Sequence, residues 1–384
     1  MKRQCIMLTA IIITAAFAAP LFAVEKKIFR DVRSFARAEI VKIDRSEPDE
    51  NNPYNVDVSV HLEILDGEQK GQAHVVTFGG DDNMPKDMFY RAGDVVFIGI
   101  SAAGGAEGVD YIHIYDVDNS AGIIFFAVLL LAAILLVGRI RGIMSILAFV
   151  ATIFLIFYLL IPMTLQGHSP LPVAVAICIV AVIVTIPIIL GFRKKTLAAI
   201  AGASSGIFIA TLLALTAGWI MRLTGIVTNE MMTVFYASVT DIDLRELALS
   251  SIIIAALGAI MDVCISIASA TEEIFKVDPE ISFGRAFKSV ITVSSDMLGA
   301  TLNTLLFAYV GTSLPLVLLI ALKMEPGIPI TMVLNYNPVL SELVKSAVGC
   351  IGMFLSMPAT AIICIRLHSG GGRSAHHSAT EVKV

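Results

Sequence analysis

The sequence predicts a polytopic α-helical membrane protein, with about seven spans following a small N-terminal all-β exported domain. Three observations predict it. Of 384 residues, 57% are hydrophobic and only 15% charged, far from the balance of an average soluble domain. Charge is also unevenly placed: residues 24–120 hold 10 Lys and Arg against 19 Asp and Glu, a net of −9 in a chain of net −5, which leaves +4 for the rest. Apolar runs of spanning length then fill the chain beyond residue 120. An acidic, charge-rich block beside an apolar, slightly basic one marks a water-exposed domain joined to a membrane domain, and the acidic surface argues against a nucleic-acid partner.

Residues 1–23 have a basic start, an apolar stretch and small residues near its end, as in "MKRQCIMLTAIIITAAFAAPLFA". That is the pattern of a secretory signal peptide or of an uncleaved N-terminal anchor helix. In either case Lys2 and Arg3 stay inside, and the chain from Val24 onward is exported.

Residues 24–120 read as strands. "RAEIVKI", "NVDVSVHLEIL", "AHVVTF", "DVVFIGI" and "YIHIYDV" alternate in period two and are rich in Val, Ile, Phe and Tyr, while "DGEQKG", "GGDDN" and "AAGGAEG" supply turns. Five short strands fit an OB-like barrel or a sandwich. The turn acids Asp81, Asp82 and Asp87 lack the spacing of a calcium loop and read as an ordinary acidic turn.

The membrane domain, residues 121–366, contains apolar runs at about 121–138, 142–162, 171–192, 196–220, 247–270, 293–322 and 343–365. Every second connection is basic: "RIR", "RKK", the group Lys276, Arg285 and Lys288, and "RLHSGGGR" after the last run. These connections are therefore expected in the cytoplasm, with residues 367–384 as a cytoplasmic tail, in a bacterial inner membrane. Gly311 and Pro315 raise the prospect of a broken span at 293–322, but two crossings there would export the basic tail, so one is expected. In "AAIAGASSG", Gly202 and Gly206 stand four apart, which suggests a close-packing seam between helices. Cys178, Cys264, Cys350 and Cys364 fall in apolar runs as small hydrophobes. No Cys/His spacing suggests a metal site, and no cofactor is expected.

The polar residues inside the spans carry the functional expectation. In "LGAIMDVCISIASATEEIF", Asp262, Ser266, Ser269 and Glu273 stand at offsets of 0, 4, 7 and 11, one face of a helix running roughly 16 Å. Gly258 and Ser251 extend it. The next span, "SSDMLGATLNTLLFAYVG", places Asp296 and Asn303 seven apart, with Thr301, Thr304 and Tyr309 on flanking faces. The expected substrate- or ion-binding set is Asp262, Ser266, Ser269, Asp296 and Asn303. Its structural alternative is helix-to-helix glue, with Asp262 hydrogen-bonded to Asn303 or a serine. Intramembrane ionisable residues are by default functional candidates. A remote third option, a paired-carboxylate intramembrane protease, is disfavoured because "AIM" precedes Asp262 and "VSS" precedes Asp296 in place of Gly-x-Gly. No other enzyme constellation stands out, and no enzyme is expected.

At these residues the chain resembles the YibE/F family of bacterial multi-pass membrane proteins. The resemblance spans about 36–365 and is densest in "ALGAIMDVCISIASATEEI" and "SSDMLGATLNTLLFAYVGTSLPLVLL", with "SAVGCIGMFLSMPATAI" similar to the family's last helix. Where the family pattern has Gly-Arg-Asp this chain has "SSDM", so any role of that arginine is absent. The resemblance implies an N-terminal membrane or signal segment, an exported β-rich domain and a multi-helix membrane domain, and it brings no function. From the residues themselves, the expectation is a transporter of a small solute or ion. The alternative is a membrane scaffold whose β-domain binds an exported protein partner. The lipid bilayer is the surrounding partner in both.

Overall fold

The computed structural model describes residues 32–45, 58–67, 69–78, 90–101, 111–226, 231, 242–323 and 329–380. The expected signal or anchor at 1–23 and the acidic turn of Asp81, Asp82 and Asp87 lie outside the described residues. The chain forms two compact units, one within Ala23–Val137 and one within Gly138–Val384.

The first unit holds a single antiparallel sheet of β1 (Val32–Arg45), β2 (Val58–Ile64), β3 (Ala73–Phe78), β4 (Val95–Ser101) and β5 (Tyr111–Val117), in the order β3-β2-β1-β4-β5. These are the five strands that period-two alternation predicts. All lie in one sheet with β1 at its centre, the layout of an open half-barrel; no ladder closes β3 onto β5 among the described residues. The inward face is aliphatic, with Ala36, Ala38, Ile40, Val60, Leu62, Val96 and Ile98 buried. Ile43 joins this core, three positions after Ile40, a step that a strand of period two makes only with an extra residue. The ladder supplies it: Ile40 pairs with Leu62 and Lys42 with His61, leaving Val41 as the bulge.

At one end of the sheet Arg37 binds Asp66 twice, through its backbone N–H (2.6 Å) and through Nε (2.9 Å). The backbone donor first, then the guanidinium, hold the Asp66 carboxyl below its ordinary range.

Among the described residues, seven helices are long and apolar enough to cross a membrane. They are α1 (Ser120–Ile140), α2 (Gly142–Leu165), α3 (Pro170–Leu190), α4 (Lys194–Ile220), α5 (Leu244–Val277), α6 (Phe283–Lys323) and α7 (Asn337–Thr380). Helical geometry breaks at Arg139 (φ 47°, ψ −129°), near the end of α1, a left-handed φ that a side-chain-bearing residue adopts only under local constraint. Helix α6 runs unbroken through Pro315, so residues 293–322 lie on one helix.

In the second unit α4, α5 and α7 form the packed centre, and α3 and α6 lie against it. Small residues let the central helices approach. A Cβ at Gly202 would collide with Thr360 Oγ1, and one at Gly206 would stand 2.8 Å from both Ile260 and Ser356. "AAIAGASSG" is thus a seam against α5 and α7, where the absence of side chains brings backbones together.

Candidate functional site

Helix α5 is fixed at both ends. Asp243 caps it, its carboxylate accepting from the backbone N–H of Arg245 (2.8 Å) and Glu246 (3.1 Å). Ser169, just before α3, donates to the Glu246 carboxylate. At the other end Lys195 of α4 meets Glu272 of α5 at 2.6 Å, and Arg193 stands 3.6 Å from the same carboxylate. Lys276 pairs with Glu273 at 2.7 Å one turn on.

Between these anchors α5 turns one face to its neighbours. Ile253, Ala256, Ile260, Cys264, Ile267, Ala268 and Thr271 are buried. Thr360 of α7 donates to Cys264 Sγ at 3.2 Å, and Cys364 Sγ–H to the Ala268 carbonyl at 3.8 Å. At 100° per residue the stripe of Ser251, Gly258, Asp262, Ser266, Ser269 and Glu273 falls on the opposite side. That side is uncovered: Ser251, Gly258, Asp262 and Glu273 are exposed, and Ser266 and Ser269 half-buried.

Helix α6 borders the stripe along one edge. There a small groove is lined by Asp262, Val263, Ser266 and Ile267 from α5 and by Ser294, Met297, Leu298 and Thr301 from α6. Ser294 and Thr301 donate their hydroxyls to the carbonyls of Val290 (2.6 Å) and Met297 (2.9 Å), which leaves their oxygen lone pairs free to accept or to coordinate. Asp262 and Ser266 have no hydrogen-bond or ion-pair partner among the described residues. The groove thus offers one carboxylate and three hydroxyls between apolar walls, a set of hard oxygen donors with a single negative charge. Such a set suits a proton or a small monovalent cation; the Met297 thioether is the one soft donor in the lining, too few for a transition-metal site. No group of three or more His, Cys, Asp or Glu that could hold a metal ion occurs among the described residues.

The structure places the sequence-derived candidates unevenly. Asp262 and Ser266 line the groove. Ser269 lies on the same stripe one turn on, outside the groove lining. Asp296 and Asn303 are exposed on α6 and do not line the groove either. Relative to Ser294 they sit roughly 200° and 180° around the helix, so the two aspartates do not share a cavity and Asn303 does not bond Asp262. This geometry supplies neither the paired carboxylates of a protease nor the Asp262–Asn303 glue. The α6 residues that do meet Asp262, Ser294 and Thr301, are seven apart with Leu298 between them, a spacing visible in the sequence but without charge to single it out.

Both site helices fall inside residues 126–370, which match the model of the YibE/F-like protein family. The chain belongs to the YibE/F family. The match runs from within α1 to within α7, so the family's shared part is the helical part, and the sheet precedes it. No curated protein and no solved structure matches the chain.

Proposed function

We propose that this YibE/F member is a transporter of a small solute or ion, with Asp262 as the group that takes up a proton or small cation. The observation that carries the proposal is the unpartnered carboxylate of Asp262, midway along α5, opening into a groove with Ser266, Ser294 and Thr301. A carboxylate at that depth has no structural ion pair to serve, and its natural use is reversible charge neutralisation. In this reading the protein acts as a carrier and not as an enzyme. Its basic connections, at Arg139 and Arg141, at Arg193 to Lys195 and around Arg285 and Lys288, support a cytoplasmic placement of that end in a bacterial inner membrane. The sheet and its acidic surroundings then lie on the exported side.

Proteoliposomes holding the purified full chain, driven by a pH or Na⁺ gradient, test this. Wild-type protein is expected to dissipate the gradient, and Asp262→Asn, folded and inserted, to do so no faster than empty vesicles. Wild-type rates in Asp262→Asn would refute the role. A second reading, a scaffold whose sheet binds an exported protein, is favoured by the aromatic outer face of the sheet, where Phe35, Phe97 and Tyr115 are exposed. It predicts that changes on that face, and not at Asp262, remove the cellular phenotype.

A further inference from the structure

Helix α6 carries a second polar feature that the groove does not use. Asp296 and Asn303 are exposed, and neither has a hydrogen-bond or ion-pair partner among the described residues. On the same line stand Gly299 and Ala300, then Phe307 (75% exposed), Val310 (57%), Leu314 (59%) and Val317 (52%). By helical geometry all eight fall within roughly 50° of one line, on the side of α6 opposite Ser294 and Thr301. From Asp296 to Val317 this line runs about 31 Å, close to the thickness of a bilayer's hydrocarbon core. An amide facing lipid about 10 Å inside the Asp296 end of that line is costly unless another helix covers it.

We propose that the cover is α6 of a second copy of this chain, packed in parallel about a two-fold axis. Such an axis brings each residue of the line against its own counterpart, so whatever covers Asn303 carries a polar group at the matching depth by construction. An amide pairs with itself, since each side chain holds both donor and acceptor. Asp296, Asn303, Val310 and Val317 recur every seven residues, the repeat of a left-handed helix pair, and a polar residue at one such position sets register and partner number. Between the two polar layers a Cβ at Gly299 would meet nothing within 4 Å, which leaves room for a second backbone to approach. Because the seam and the groove occupy opposite sides of α6, the dimer stands or falls separately from the transport role.

Single cysteines introduced at Ala300 and Val310 on the seam, and at Leu298 and Thr301 on the groove side, test the pairing in native membranes under copper–phenanthroline oxidation. Disulfide-linked dimer is expected at the two seam positions, well above the level at the groove positions and in the unsubstituted chain. Equal or absent cross-linking at the seam would overturn the proposal. Dimer dissociation of the full chain in liposomes, followed by energy transfer between labelled copies, reads the amide directly. Asn303→Leu is expected to weaken the dimer roughly 3- to 30-fold, the range for one interhelical polar pair, while Asn303→Gln retains it. Wild-type association in Asn303→Leu would remove Asn303 from the interface.

Discussion

The two faces of α5 differ in what they touch. On one, Ala256, Ile260, Cys264 and Ala268 are buried against α4 and α7, where Gly206 and Gly352 approach Ile260 and Thr360 bonds Cys264. On the other, Ser251, Gly258, Asp262, Ser266 and Ser269 meet little of the chain, and one edge opens into the groove against α6. Polar groups occur on both. Thr271, on the packed face, donates to the Ile267 carbonyl at 2.8 Å, whereas Asp262 and Ser266 have no such partner. A hydroxyl bonded across a close-packed seam, as Thr360 is to Cys264, ties helices together; an unsatisfied carboxylate in a groove is available to a ligand. The same helix thus holds the bundle with one side and offers chemistry with the other.

The contrast breaks most visibly at the seam. Gly202→Val drives side-chain atoms into Thr360, whose Cα lies 3.0 Å from where the new Cβ would stand. A loss of about 3 kcal/mol or more, or failure to accumulate folded protein, is expected in thermal melts and yields of the purified chain. Glu272→Gln comes next. It leaves Lys195 beside a neutral partner in a pair whose side chains are 13% and 15% exposed, and a loss of about 1–2 kcal/mol is expected in the same melts, between the values for surface and buried pairs. The open face answers in the opposite direction: a Cβ at Gly258 would meet nothing within 4 Å, so Gly258→Ala is expected to be neutral or to stabilise α5 by up to about 1 kcal/mol through helix propensity. A marked loss there would show that this face is packed after all.

The smallest effect belongs to a carboxylate that has its partners in water. Asp66 is held below its ordinary range by the Arg37 backbone N–H and guanidinium. Its contribution is therefore present above about pH 4, the unfolded value, and is lost as pH falls through the lower folded value. Melts across pH are expected to place Asp66→Asn slightly below wild type at pH 7, with the gap closing below about pH 4.

Much of the fold was legible because each element has its own period. Strands β3 and β5 coincide with "AHVVTF" and "YIHIYDV", and the spans track apolar runs, since burial in lipid or in a sheet demands those patterns. Helix lengths were less legible. Helix α5 runs from Leu244 to Val277, beyond the apolar run at both ends, because capping by Asp243 and the charge pairs of Glu272 and Glu273 sustain it in polar surroundings. At the candidate site, the α5 stripe could be read from spacing alone. Its partners on α6 could not, because the most polar side chains of that span are Asp296 and Asn303, and nothing in one helix's sequence states which side faces the neighbour. Ser294 and Thr301 are small and uncharged, and only packing brings them to Asp262.

The most direct measurement compares the two faces of α5 in a membrane. Cysteines introduced singly at Ser266 and at Ala268, two residues apart on opposite sides, are exposed to a water-soluble maleimide with the full chain in liposomes, the unsubstituted chain giving the background. Labelling of Ser266→Cys, slowed by Asp262→Asn or by the transported ion, with Ala268→Cys unreactive, is the expected result. Equal protection of both positions would mean that the groove is dry, and would contradict a role for Asp262 in moving ions or solutes.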